Sequence, residues 1–584
     1  ADNFALCFAT QKIAKSQLIG LDILEKHYKK QAPSNTEYRE QLAVLFTVPE
    51  VILQEKVAGL LTTYFAEEGL AEVVAPYRDY LKIPTPVSLP QEEDPLSKEA
   101  CQDNISSSFE ERFALEVGKL QVPTTADALL FLLGDCFRER TAGTIDLFFE
   151  GLVQLQERLP ANYTKELAPY LKKLMKNHYL DSVITIIKGF LYCYSHQKPL
   201  EIPPYQYTYE ESNALREKLD EAAFEEYLLW DRLYKHKIFM PFLIHKAQLT
   251  LKYLNEKEVL PFLSTPTHEP FYIDTEIFVD KLLQYEAVNK QPDLHDLIVA
   301  CNRLLFREVS ATAKEKARQL KGNYALAIQY YLGLTDKIQL TEELLPLWAQ
   351  ITRIKHPDRE FPEFASTSAK DILGVVKPYL IDYGWQEDNG HKKFTFGHHT
   401  EWVGVSYTDL KNAFPYRYYN ANGGSSPIST IFEYKLSLNP HYPDAMLCDY
   451  ISTWVTGNEV REIRNMSVPL EVLLRYDIRV RHSGWLYIGT ALLFEKRPSR
   501  DSAYEYICQA ITRGEDLTYL KTYLAQALAW DFLPITRFIE FLDRPTHDAK
   551  LKAFRKEVIA LYLEEAEKQD KLPKNHKKLA TFGD

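Results

Sequence analysis

Glycine is scarce in this chain, at 22 of 584 residues. A fold of short strands joined by many tight, glycine-punctuated turns is disfavoured on that ground. Cysteine is sparse as well, and its seven copies stand singly at Cys7, Cys101, Cys136, Cys193, Cys301, Cys448 and Cys508, with no two at CxxC spacing. An odd, scattered set argues against a disulfide framework or a zinc knuckle, and small buried thiols in a reducing compartment are expected. No apolar run reaches the roughly 18 residues that a membrane-crossing helix needs, so no membrane insertion is expected. The start, Ala1-Asp2-Asn3-Phe4, shows neither the basic nor the apolar region of a signal peptide. The cytoplasm is therefore the expected location, with periplasmic export second.

Positive charge is also in deficit. The formal net charge is −12, and a phosphate backbone repels such a surface unless basic residues are gathered on one face. Nucleic acid is thus an unfavoured partner. The spacings that carry known catalytic chemistry are missing too: no HExxH, no GxxxxGK[ST], no GxSxG, and no GxGxxG between a strand and a helix. Gly423-Gly424 is followed by Ser425-Ser426-Pro427 where a phosphate loop needs lysine, and an Asn/Ser-rich turn explains it better. No catalytic residue and no cofactor are expected.

What the chain does contain is 46% hydrophobic and 26% charged residues, a balance that can bury a sizeable core. Its clearest pattern is helical. Leu129, Leu132, Leu133, Cys136 and Phe137 share one face of a 3.6-residue repeat. Ile145, Phe148, Phe149 and Leu152 follow after Thr141-Ala142-Gly143, and Leu167, Tyr170, Leu171, Leu174 and Met175 after Pro160. Asp181 is placed to cap a fourth helix carrying Ile184, Ile187 and Leu191. Helix starts about twenty residues apart make pairs of about forty, the period of HEAT- and armadillo-like solenoids. A compact bundle is the alternative. The expected fold class is all-α, a HEAT/armadillo-like helical-repeat solenoid with a small β-rich insertion.

Breaks in the pattern divide the chain into N-terminal helices over 1–82, a loop or linker over 83–108 and helical repeats over 109–198. A middle helical-repeat region spans 199–381, a β-rich aromatic insertion 382–438 and C-terminal helical repeats 439–570, with a basic, frayed tail over 571–584. Within the insertion Asn389-Gly390 is a type I′ hairpin signal between β-forming runs. Its aromatics Trp385, Phe394, Phe396, Trp402, Tyr407 and Tyr416 are candidates for a partner-binding surface, because such side chains dominate interface hot spots. Forming the insertion's own core and packing it on the helices is the favoured reading. Arg475, Arg479 and Arg481, with Arg461, Arg464, His482 and Trp485, form a second candidate surface for an acidic partner. Acidic neighbours Glu462, Glu471 and Asp477 favour ion pairing within the chain instead. His391, His398, His399 and His441, with Glu401 and Asp409 nearby, are the weak candidates for a metal site. Strand alternation sends His398 and His399 to opposite faces, which argues against it. Thr267 and His268 stand before a helical segment, where hydroxyl capping is the better reading.

Several phrases resemble an uncharacterised bacterial helical-repeat family, a domain of unknown function distantly like the molybdate-regulator-like proteins. They are Leu263-Ser264-Thr265-Pro266-Thr267-His268 with Tyr272-Ile273-Asp274, Tyr324 to Gly333, Leu347-Trp348-Ala349-Gln350 to His356-Pro357-Asp358, and Ala503 to Ile511 with Arg513-Gly514. The resemblance spans roughly 233–537. It implies HEAT-like repeats, no established activity, and a place beside AAA ATPases and von Willebrand A-domain proteins. A protein-binding scaffold or adaptor is the expected function. The alternatives are a hydrolase-like enzyme with a site between the insertion and the helices, and a nucleic-acid-binding repeat protein.

Overall fold

The computed structural model describes residues 14–30, 38–47, 51–65, 70–75, 77, 81, 83, 118–176, 181–202, 208–236, 240–304, 309–372, 374–378, 383–388, 391–396, 429–444, 446–447, 466–482, 484–493 and 496–582. Packing divides the chain into two units, Ala1–Ile105 and Ser106–Asp584. The first contains α1 (Ala14–Tyr28), α2 (Tyr38–Ala43), α3 (Val51–Tyr64) and α4 (Leu70–Val74). Leu53, Val57, Leu60 and Leu61 of α3 fall on one helical face and are buried with Leu21 and Phe46. Lys56, on the same helix, reaches Asp22 at 2.8 Å and also pairs with Glu25.

The second unit begins with the expected run of helices: α5 (Ala126–Arg138), α6 (Ala142–Leu155), α7 (Tyr163–Met175) and α8 (Ser182–His196). Their starts are set by side-chain caps. Thr125 accepts the Ala128 amide at 3.2 Å, Thr141 and Thr144 form a capping box, and Asp181 accepts the Ile184 amide at 3.0 Å. Helices α6 and α8 are apolar nearly all round and buried nearly all round, which makes them central rather than facial elements. Next come α9 (Tyr209–Lys218), α10 (Glu221–His236) and α11 (Pro241–Glu256). They are followed by α12 (Thr275–Ala287), α13 (Leu294–Arg303), α14 (Ala311–Arg318), α15 (Ala325–Tyr331) and α16 (Leu345–Lys355). Cys136, Cys193 and Cys301 are buried, as small apolar side chains on these helices should be.

Strands β1 (Tyr383–Asp388) and β2 (His391–Phe396) pair antiparallel, Trp385 opposite Phe394 and Asp388 opposite His391. Two residues separate the strands, as the hairpin signal required. The expected strand-rich segment ends early, because Ser429–Leu438 is a helix, α17. Phe432, Tyr434, Leu436 and Leu438 alternate as in a strand. Lys435 and Ser437 between them are buried as well, so the alternation does not separate a buried face from a wet one. Tertiary burial decides the element here.

The C-terminal helices are α18 (Ser467–Arg475), α19 (Gly484–Leu492), α20 (Arg497–Thr512), α21 (Thr518–Ala529), α22 (Ile535–Leu542), α23 (Ala549–Glu567) and α24 (His576–Ala580). The basic tail does not fray: Leu579 is fully buried, and His576 Nδ1 lies 2.9 Å from the Tyr562 hydroxyl. One apolar residue docks a segment whose composition reads only as solvated charge.

The fold is mostly helical, and sequence neighbours pack together at α5–α6, α7–α8 and α19–α20. Helix α6, however, also packs on α11 and α17. Nearest-neighbour stacking does not produce contacts of that range. One apolar core accordingly joins residues from Leu129–Tyr272 to residues from Phe432–Leu579, while a second surrounds Phe278, Leu297, Tyr331 and Trp348. Among the described residues no helix is long and apolar enough to cross a membrane.

The hairpin is tied to α21 by its first strand. Tyr383 Oη and Trp385 Nε1 both donate to Gln526 Oε1, at 3.0 and 3.2 Å, and the Trp385 ring stacks against Tyr523 and Trp530. Trp385→Ala should cost on the order of 2 kcal/mol, less than the loss of a fully buried ring, and should speed hydrogen exchange across β1. Trp385→Phe should keep most of the exchange protection. Equal β1 exchange in the alanine variant and the parent would show that the ring does not anchor the hairpin.

Candidate functional site

Asp146 and Glu150 lie one turn apart on α6, so their carboxylates share a face. Both are buried, at 1% and 3% exposure, and an isolated buried carboxylate is several kcal/mol unfavourable. Three other helices supply what Asp146 needs. Arg303, ending α13, pairs with its Oδ2, Tyr434 of α17 donates to Oδ1 at 3.0 Å, and the Lys246 ammonium of α11 stands at 3.4 Å. Burial pushes the Asp146 carboxyl up, but the Lys246 and Arg303 charges outweigh it and hold the group below the usual range. Arg303 spends its remaining donors on the Ser437 carbonyl at 3.0 Å, the Ser437 hydroxyl at 2.9 Å and the Ser264 carbonyl at 2.6 Å.

The same groups hold the irregular segment between α11 and α12. A buried loop must have its backbone polar groups satisfied, and here side chains do it. Glu150 accepts the Phe262 amide at 2.8 Å and the Thr265 hydroxyl at 3.1 Å. Asp296 accepts the Leu263 amide at 2.6 Å and the Ser264 hydroxyl at 2.5 Å, while Lys246 donates to that hydroxyl at 2.9 Å. Lys281 donates to the Phe262 carbonyl at 2.7 Å; burial pulls its pKa down. Further along, Thr267 Oγ1 accepts the Asp274 amide at 2.8 Å and Asp274 caps α12 through the Ile277 amide at 2.9 Å. His268 is buried, its Nδ1 3.0 Å from the Thr267 hydroxyl. Thr267 and His268 thus act in a capped turn.

Beside this network lies a group that the sequence gives little reason to select. His245 of α11, Asp293 and His295 place ligating atoms within 4.8 Å of one another. Asp293 caps α13, its Oδ1 accepting the His295 and Asp296 amides at 3.0 Å, and its Oδ2 sits 2.9 Å from His245 Nε2. Burial disfavours the His245 imidazolium, but the Asp293 hydrogen bond and the Asp293 and Asp296 charges outweigh it and raise the pKa. Asp293, against its own burial, is held down at about 2 by the same pairing. Burial and the neighbouring His245 push His295 down to about 4. The two histidines and Lys246, Asp146, Ser264 and Tyr434 line a cavity of about 20 Å³. That is room for one water, not for an organic substrate.

The large concavity is elsewhere. A groove of about 930 Å³ runs between α7, α8 and the start of α10. Ala168, Leu171, Met175, Tyr192, Ala222 and Ala223 give it an apolar floor. Exposed Lys165, Lys172 and Lys176 edge one side, and Asp220, Glu221, Glu225 and Glu226 the other. Lys198 bonds Glu226 at 3.0 Å and lies over the Tyr192 ring, which stacks on His196, so this end of the groove is braced.

The residues singled out in the sequence fare differently. Trp402, Tyr407, Tyr416, His398, His399, Arg461 and Arg464 lie outside the described residues. Phe394, Phe396 and His391 are on β2, and their side chains are outside the description. Trp385 is engaged within the chain, as given above, and Trp485 is buried against Tyr506. Arg475 and Arg479 are exposed, but acids are interleaved: Arg479 is 3.9 Å from Glu515, and Arg513 pairs with Asp477 at 2.7 Å and Glu515 at 2.6 Å. The Arg481 amide donates to Asp444 at 2.9 Å, which fixes the backbone there. His441 sits by Asn302 and Arg481, and burial with the Arg481 charge pushes it down to about 4. It belongs to no three-ligand cluster among the described residues. His245 and His295 escaped notice because their only local signal is a lone histidine on an apolar helix and an Asp-x-His at a helix start.

Two family models match the chain, the domain of unknown function DUF7824 over residues 115–372 and the domain of unknown function DUF7825 over 384–581. Neither description carries a HEAT-like or molybdate-regulator kinship. No curated protein and no solved structure matches. Asp146, Lys246 and Arg303 fall in the first matched domain and Tyr434 and Ser437 in the second, so the buried network crosses between them.

Removing one side of a buried ion pair strands the other charge, at a cost of about 3–5 kcal/mol. Arg303→Met should lower unfolding free energy by that amount in urea titration, whereas Tyr434→Phe, losing one hydrogen bond, should cost only about 1 kcal/mol. The reverse order would refute the assignment of Arg303 as the principal partner of Asp146.

Proposed function

We propose that the chain is a non-catalytic helical-repeat adaptor whose α7–α10 groove receives an amphipathic helix of a partner protein. The groove's shape and edging carry the reading. A two-turn helical segment about 10 Å across occupies on the order of 900 Å³, comparable with the 930 Å³ of the groove. An apolar floor between a lysine edge and a carboxylate edge suits a helix with an apolar stripe flanked by acidic residues on one side and basic residues on the other. Sequence neighbours such as α7 and α8 pack on each other, as the helices of a divergent repeat would. Acids interleaved with Arg475 and Arg479 count against the nucleic-acid alternative. By the resemblance above, components of an AAA ATPase and von Willebrand A-domain assembly are the first partners to offer.

Quantitative capture from the host, with the combined Lys165→Glu, Lys172→Glu and Lys176→Glu variant in parallel, tests this reading. These lysines are exposed, so the variant should fold as the parent does. Partner affinity should fall at least about tenfold, or about 1.4 kcal/mol. A version with residues 398–427 replaced by a short linker should bind unchanged. Loss of the partner from the linker version, with retention by the charge-reversed one, would move the contact to the insertion and overturn the groove reading.

A further inference from the structure

Three side chains brought together from two helices offer a chemistry that the groove does not use. His245 projects from α11, while Asp293 and His295 come from the start of α13. The His245 Nε2–Asp293 Oδ2 distance is 2.9 Å, His295 Nδ1 stands 4.0 Å from Asp293 Oδ1, and no ligating pair exceeds 4.8 Å. Ligands bound to zinc at about 2.0–2.1 Å in a tetrahedron lie roughly 3.3 Å apart. The observed spacings, from 2.9 Å to no more than 4.8 Å, bracket that value.

We propose that His245, Asp293 and His295 bind one divalent transition-metal ion of borderline softness, with Zn²⁺ as its representative. Two imidazoles and a carboxylate suit zinc, cobalt or nickel, whereas calcium and magnesium favour shells of oxygen alone. The side chains keep 22% to 30% of their exposure, which leaves an entry path for the ion. The adjoining cavity of about 20 Å³ admits a single water as a fourth ligand.

The surroundings support the site in two ways. Asp293 is already oriented by the His295 and Asp296 amides on its Oδ1, and the Phe242 ring meets His295 edge-on at 5.8 Å, so two of the three ligands are positioned before the ion arrives. Around them Asp146, Glu150 and Asp296 are matched by Lys246, Lys281 and Arg303, three carboxylates against three cations, so the Asp293 charge is left to His245 or to a bound ion. Bound there, the ion joins α11 to the N-terminus of α13 and braces the two helices that deliver Lys246 and Arg303 to Asp146.

The test uses the full chain stripped with a chelator and titrated with Zn²⁺ against a chromophoric competitor, and with Co²⁺ by visible absorption. One Zn²⁺ per chain is expected, with a Co²⁺ spectrum of four-coordinate type and a raised thermal midpoint in the presence of metal. Asp293→Asn keeps the helix cap, because asparagine caps as well as aspartate, yet it removes the charged ligand. It and His295→Gln should each weaken Zn²⁺ at least about tenfold. Zinc affinity unchanged in both variants, or lost instead on replacing His391, His398 and His399 by glutamine, would overturn the proposal. So would a chain, still folded by circular dichroism, that binds no zinc at all.

Discussion

A buried carboxylate is the constraint on which the large unit depends. Asp146 sits at 1% exposure in a largely apolar helix, where its charge is untenable alone. Arg303, Lys246 and Tyr434 make it tenable, and each arrives on a different helix. The relative placement of α6, α11, α13 and α17 is therefore tied to one set of polar distances rather than left to apolar packing, which tolerates sliding. The loop Pro261–Thr265 depends on the same set, because Glu150, Asp296 and Lys246 satisfy its backbone and hydroxyl groups.

This arrangement explains why two matched domains make one unit. Sequence similarity separates 115–372 from 384–581. The apolar core does not, since Phe148 and Phe190 belong to the same cluster as Trp485 and Tyr523. Arg303 and Ser437 hydrogen-bond across the division through two donors. The polar network thus ties helices of both matched regions together at the centre of the unit.

Much of the local structure was legible beforehand. The spacing of Leu129, Leu133 and Cys136 gave the buried face of α5, and Asp181 stands at a helix start where capping chemistry puts it. The hairpin followed from two residues between β-forming runs. Misreadings came where burial was complete or rested on one residue. The β-rich insertion was drawn through to 438, where α17 is a helix, and at the C-terminus Leu579 docked a segment that its lysines described as solvated. Among the candidate site residues, Trp385 and Trp485 pack on aromatic rings of the chain itself, and an aromatic's composition signal is the same for an interface and a core.

The sequence by itself determined the helical class, the cap positions and the absence of a long apolar span, since each is set by residues a few positions apart. Only the tertiary structure decided that Asp146 meets Tyr434 across 288 positions and Arg303 across 157, and that His245 meets Asp293 across 48. Periodicity and capping act along the chain, where neighbours are visible in the order of residues. Charge pairing and ligand convergence act through space, and a lone Asp, Lys or His in an apolar helix carries no mark of the partner that burial will force upon it.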